Sequence, residues 1–172
     1  VPQIIFLTGA SGAGKTTLVQ ALQAELSKYP AVFLHFDSIG VPTEREMVAL
    51  YGSPRKWQRQ MTLRWIERLV KSYSDQQWVI FEGQVDLEFI DTGFKVHEFQ
   101  NYKIVLLHCK AESRKHRLMQ ERNQPELDNP SMAKWTEYLY RQALVKQVPI
   151  LDTSDLTVER AVTWFRQQFI DQ

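Results

Sequence analysis

A chain of 172 residues, 44% of them hydrophobic, is long enough to bury one sizeable core and short for two. Its 21 Lys and Arg against 20 Asp and Glu leave a formal net charge of +1, which excludes a global pull toward nucleic acid or anionic membrane, so any anion site must be local. The single cysteine, Cys109, excludes an internal disulfide framework, and four scattered histidines offer no paired zinc-ligand spacing.

Taken in order, the chain alternates short apolar runs with longer stretches of helical period, the pattern of βαβ units around a parallel sheet. Gln3 to Thr8 reads as a strand covered on both faces. Leu18, Ala21, Leu22 and Leu26 mark one amphipathic helix, and Ala31 to Phe36 a second strand. Thr43 and Glu46 have capping-box spacing before Met47, Val48 and Leu50, which predicts a short helix broken at Gly52, Ser53 and Pro54. A longer helix from Pro54 to Tyr73 follows, with Trp57, Met61, Trp65 and Leu69 at intervals of four. Trp78 to Glu82 is a third strand. From Gly83 to Gln100 the apolar positions are too irregular to separate helix from loop. Lys103 to His108 is a fourth strand, Asn123 to Pro130 a polar loop, Val148 to Asp152 a fifth strand, and Val158, Ala161, Val162, Phe165 and Phe169 stripe a final helix. The longest apolar stretches, Ile4 to Leu7 and Ile104 to Leu107, are far too short to span a bilayer and neither is laid out as a signal peptide, so the expectation is a cytosolic protein.

The decisive segment is Gly9-Ala10-Ser11-Gly12-Ala13-Gly14-Lys15-Thr16, which fits G-x-x-x-x-G-K-[ST] with a strand before it and a helical pattern starting inside it. Glycines let the backbone curl so that successive N–H groups face phosphate oxygens, and the next helix presents its positive end. Lys15 is expected to bridge the outer two phosphates, Thr16 to offer its hydroxyl to Mg²⁺, and Thr17 to reach the innermost phosphate.

With that motif in place, the chain resembles the small-molecule and nucleoside monophosphate kinases of the P-loop superfamily, the group of adenylate, shikimate and gluconate kinases and chloramphenicol phosphotransferase. The resemblance implies an α/β three-layer sandwich: one domain over residues 1–172, a five-stranded parallel sheet in the order 2-3-1-4-5 with helices on both faces, and a short arginine-bearing lid around 112–130. It implies ATP and Mg²⁺ as cofactors. Asp37, after the second strand, either orients and deprotonates an acceptor hydroxyl or serves a turn or metal-bound water. Glu82 resembles the Walker B carboxylate and pairs with Thr16 as a metal residue. The nucleoside monophosphate kinases usually continue Asp-Gly-aromatic-Pro-Arg, whereas this chain has Glu82-Gly83-Gln84-Val85, which argues against an adenylate kinase. Gln84 is a substrate contact or a turn residue.

Arg114 and Arg117 share a helical face after the fourth strand and are read as lid arginines that neutralise a transferring phosphoryl group, against the alternative of a solvated basic face. Arg122 falls in the same lid, and Arg141 is a further candidate phosphate contact. Arg45, Arg55 and Arg59 lie where an anionic acceptor is expected. Ile150 to Ser154 resembles the segment beside the adenine. Cys109 has no orienting partner and reads as core. Two functions follow: an ATP- and Mg²⁺-dependent phosphotransferase acting on a small molecule, or an ATP-binding switch or ATPase with no metabolite acceptor. The sequence implies no membrane or nucleic-acid partner and leaves monomer and homodimer both open.

Overall fold

A computed structural model of the chain describes residues 1–172. The strands are β1 (Gln3–Thr8), β2 (Ala31–His35), β3 (Trp78–Gly83), β4 (Tyr102–His108) and β5 (Ile150–Asp152). The helices are α1 (Lys15–Glu25), α2 (Glu44–Tyr51), α3 (Pro54–Ser72), α4 (Leu87–Val96), α5 (Ala111–His116), α6 (Pro130–Lys146) and α7 (Val158–Phe169). All four strand pairings are parallel, and the order is β2-β3-β1-β4-β5, as the family resemblance implies.

Period-two alternation divides each strand between two cores. Ile4 and Phe6 point to a face covered by α3, α4 and α6, where they meet Trp65, Ile66, Phe94 and Leu139. Ile5 and Leu7 point to the opposite face, where α1 and α7 supply Leu18, Leu22 and Phe165. The long helices α1, α3, α4, α6 and α7 thus each bury an apolar side, and the strands are apolar in their middles with polar residues such as Gln3, Thr8, Glu82 and Asp152 at their ends.

The Thr43–Glu46 capping box forms reciprocally, and Ser53 caps α3 ahead of Pro54. Several expected boundaries shift by a residue or two: β3 runs on to Gly83, β4 begins at Tyr102 and α3 ends at Ser72. Phe36 leaves the second strand for a 3₁₀ turn over Phe36–Ile39, where its ring meets Trp57 edge-on. Val148 and Pro149 lie outside β5, which begins at Ile150. The ambiguous stretch after Gly83 contains α4, capped by Asp86, whose side chain accepts from the Glu88 N–H. Gly93 faces α3 there: a Cβ at that position would stand 2.4 Å from Ile66 Cδ1, so the two helices approach as closely as they do only over a residue without one. Beyond α5 the chain makes one π-helical turn, Arg117–Glu121, and a 3₁₀ turn, Pro125–Leu127. No helix is long and apolar enough to cross a membrane.

Candidate active site

Residues 9–16 run from the end of β1 into α1, at the C-terminal edge of the sheet. Gly12 and Gly14 have φ of 83° and 95°, backbone angles that side chains with a Cβ resist, and Gly14 stands at the N-cap of α1 with no side chain capping the helix. The loop's carbonyls are tied back into the protein. Gly12 O accepts from Arg117 Nη1 at 3.1 Å and from the buried Cys109 thiol at 3.5 Å, and Ala13 O accepts from Thr153 Oγ1 at 2.7 Å. The N–H groups of Ser11, Gly12 and Gly14 donate to no protein acceptor. Carbonyls held away and N–H groups left unpaired at a helix N-terminus make an anion cradle.

Lys15 folds over this loop and donates from Nζ to Gly9 O at 2.8 Å and Ala10 O at 3.1 Å. Burial lowers its pKa to about 8, with the carboxylates of Glu82 and Asp37 opposing the shift and the Arg122 guanidinium adding to it. Those causes place the ends of β2 and β3 and the turn after α5 around one ammonium.

Glu82, 9% exposed, sits in β3 opposite Leu7 of β1 and His35 of β2. Its Oε1 lies 2.8 Å from His35 Nδ1 and 3.5 Å from Thr16 Oγ1. No group of three or more His, Cys, Asp or Glu side chains gathers as a self-sufficient metal site. A hydroxyl and one carboxylate are hard oxygen donors too few for a cage, which suits Mg²⁺, an ion that completes its octahedron with water and phosphate oxygens. Asp37 follows in the 3₁₀ turn with its side chain exposed and unpaired. Burial of part of the carboxyl, then the charge of Glu82, raises its pKa above the ordinary 3.8 against the pull of Lys15 and His35.

The arginines divide sharply. Arg114 is 3% exposed, donates to Thr136 Oγ1 of α6 at 3.0 Å, and packs so closely beneath the loop that a Cβ on Gly12 would lie 2.8 Å from its Cγ. It props the loop from below, which differs from its expected place over the phosphates. Arg117 braces Gly12 O, Thr153 Oγ1 and Thr153 O. Beside it opens a cleft of about 270 Å³ lined by Gly14, Thr17, Arg117, Thr153, Leu156 and Val158 among others, a recess flanking the loop. Arg122 is exposed, and its charge adds to the lowering of the Lys15 pKa. Arg141 pairs with Glu137 on the solvent face of α6, Arg59 lines an outer groove with Lys56, and Arg45 is exposed on α2.

One buried group carried a sequence signal for its cap but none for its other partners. Asp86 is fully buried and accepts from Arg55 at 2.8 Å, Tyr138 and Gln142 at 2.9 Å each, and the Glu88 N–H. Burial alone would raise its pKa; hydrogen bonds from Gln142, Glu88, Tyr138 and Arg55 outweigh it and hold the carboxyl below 3.8. Asp-x-Glu before an apolar run is an N-cap signal, but partners 31 to 56 residues away are invisible locally. Gln84 accepts from Ser11 Oγ at 3.0 Å, and its carbonyl accepts from Gln58 at 3.1 Å, which joins the β3–α4 connection to the phosphate loop and α3.

Residues 5–135 match the family model described as AAA domain, and the chain belongs to that family. Its fold is that of the P-loop kinases. Shikimate kinase from Acinetobacter baumannii, solved in complex with shikimate, superposes with a TM-score of 0.66 at 19% identity, over 99% of this chain and 94% of that one. A gluconokinase from Sinorhizobium meliloti 1021 superposes with a TM-score of 0.66 at 18% identity, over 94% of this chain and 88% of that one. No curated protein sequence matches the chain.

Proposed function

We propose that the protein transfers the γ-phosphoryl group of ATP, with Mg²⁺, to a hydroxyl of a small molecule bound between Asp37, Gln84 and Arg55. The observation that carries the proposal is the convergence of Lys15, Thr16, Glu82 and Asp37 at the C-terminal ends of β1, β2 and β3, where ligands bind in open α/β sheets. A phosphate cradle alone suits any nucleotide binder. An unpaired carboxylate beside it, with a raised pKa, suits a kinase.

In this reading the unpaired N–H groups of the loop and Lys15 receive the phosphate oxygens, and the Arg117–Thr153 cleft takes the base side of the nucleotide. Thr16 and Glu82 would hold Mg²⁺ directly or through water, and the ion would supply positive charge against the phosphates. Asp37 accepts the proton of the acceptor hydroxyl as the new O–P bond forms and the bond to ADP breaks. Arg122, the exposed arginine of the 112–130 lid, takes the developing charge on the transferred group. Arg55 keeps donors beyond the one given to Asp86, and with shikimate kinase and a gluconokinase among the similar structures, a hydroxylated carboxylic acid is the acceptor class we favour.

The test is Asp37→Asn. It should keep Mg·ADP affinity within about threefold, while acceptor-stimulated ADP formation across a panel of hydroxy acids, polyols and nucleosides falls by about 10²–10⁴, the range for loss of a positioned base. Unchanged stimulated turnover would refute the acceptor role of Asp37.

A further inference from the structure

Glu82 is held by a residue that the proposed chemistry does not yet use. His35 stands opposite Glu82 in the parallel register of β2 and β3, so the two side chains project from one face of the sheet at its C-terminal edge. Its Nδ1 lies 2.8 Å from Glu82 Oε1, the oxygen that Thr16 Oγ1 approaches at 3.5 Å. An ionised carboxylate only accepts, so the proton of this contact sits on Nδ1 and the imidazole donates.

We propose that His35 is a positioning residue for the metal site: it pins Glu82 Oε1 and so aims Oε2 at Mg²⁺ or a metal-bound water. The proposal rests on the reading that Mg·nucleotide occupies the phosphate loop. A Thr16 hydroxyl that gives a lone pair to a cation must send its proton elsewhere, and Glu82 Oε1 is the acceptor within reach. That oxygen therefore needs a fixed place. Asp37, in the turn that follows β2, works against it, since two carboxylates repel. On the β2 side His35 is the donor that counters this repulsion, and its side chain, 38% exposed, reaches the site from a strand, a more rigid mount than a loop. Partners that orient a ligating group in this way typically contribute about 10–100-fold to metal affinity.

The experiment is Mn²⁺ binding to the full chain in the presence of ADP, followed by electron paramagnetic resonance so that no turnover is required. His35→Phe keeps ring volume without a donor; His35→Asn places an amide nitrogen where Nδ1 stands. The expected result is that Phe weakens Mn²⁺ binding in the ternary complex about tenfold or more, with metal-free ADP affinity within about twofold of the parent, and that Asn returns Mn²⁺ affinity to within about threefold. Parent-like Mn²⁺ binding by the Phe variant overturns the proposal, as does an Asn variant as weak as Phe, which would assign the effect to ring packing. If the parent itself binds no Mn²⁺ beyond that held by ADP in solution, the Mg·nucleotide reading falls and this proposal with it.

Discussion

Lys15 shows how much of a site one side chain can report. The motif marks it as a phosphate ligand, but its half-buried position and its bonds to Gly9 O and Ala10 O follow only from the closed loop. With the ammonium lowered to about 8, a large fraction of the protein has it neutral at pH 8. Phosphate oxygens favour the charged form and raise the pKa again, so nucleotide binding must draw protons in. Calorimetry at pH 8 in buffers of different ionisation enthalpy should show uptake of about half a proton per ADP bound, absent in Lys15→Met. The arginines were less legible. Charge pattern gives Arg114 and Arg117 one helical face and cannot say that the face is turned under the loop. Arg114→Ala should therefore act on folding, lowering stability on the order of 2 kcal/mol in denaturant titration through lost packing beneath the loop and the lost bond to Thr136. Arg122→Ala should leave stability unchanged and lower acceptor-stimulated turnover about 10²–10³-fold.

Between elements, the largest polar commitment is Asp86, which binds the first turn of α3 through Arg55 and the middle of α6 through Tyr138 and Gln142. Lys146 adds a second tie from α6 to α4, 2.8 Å from Glu88 and 2.5 Å from Asp91. α3 and α6 thus share one buried carboxylate. Asp86→Ala removes the acceptor that Arg55, Tyr138 and Gln142 all use, and should lower stability by about 2–3 kcal/mol in urea titration. The pH dependence has a definite sign. A carboxyl whose folded pKa lies below 3.8 stabilises fully above that pH and loses its contribution as pH falls through the folded value, so Asp86→Asn should flatten the acid limb of stability below about pH 4. This layer was the hardest to read in sequence. α1, α2, α3 and α7 carry clear apolar periods or caps, whereas α4 buries Leu87, Phe89, Ile90 and Phe94 and uses Gly93 for close packing on Ile66, which blurs its period.

At the scale of the whole molecule, strand order decides where chemistry can happen. β1 lies between β3 and β4, so the loop leaving β1 opens into a crevice flanked by the β3–α4 connection on one side and the segments after β4 and β5 on the other. The alternation of strands and helices was plain in the apolar pattern, the strand order came from the family resemblance, and the partners across the crevice had to await the fold. A ligand in that crevice touches both halves of the sheet and should stabilise them together: Mg·ADP at about 100 times its dissociation constant should add roughly 2.7 kcal/mol to unfolding, read as an upward shift in Tm that Lys15→Met abolishes. The claim that matters most concerns the fate of one phosphorus atom. ³¹P nuclear magnetic resonance of the protein with ATP, Mg²⁺ and a panel of hydroxylated carboxylic acids follows it directly. A new phosphate-ester resonance should grow in equal amount with ADP for at least one acceptor and be lost in Asp37→Asn. Inorganic phosphate as the sole product, formed at one rate whatever acceptor is present, would contradict it and make the protein an ATPase.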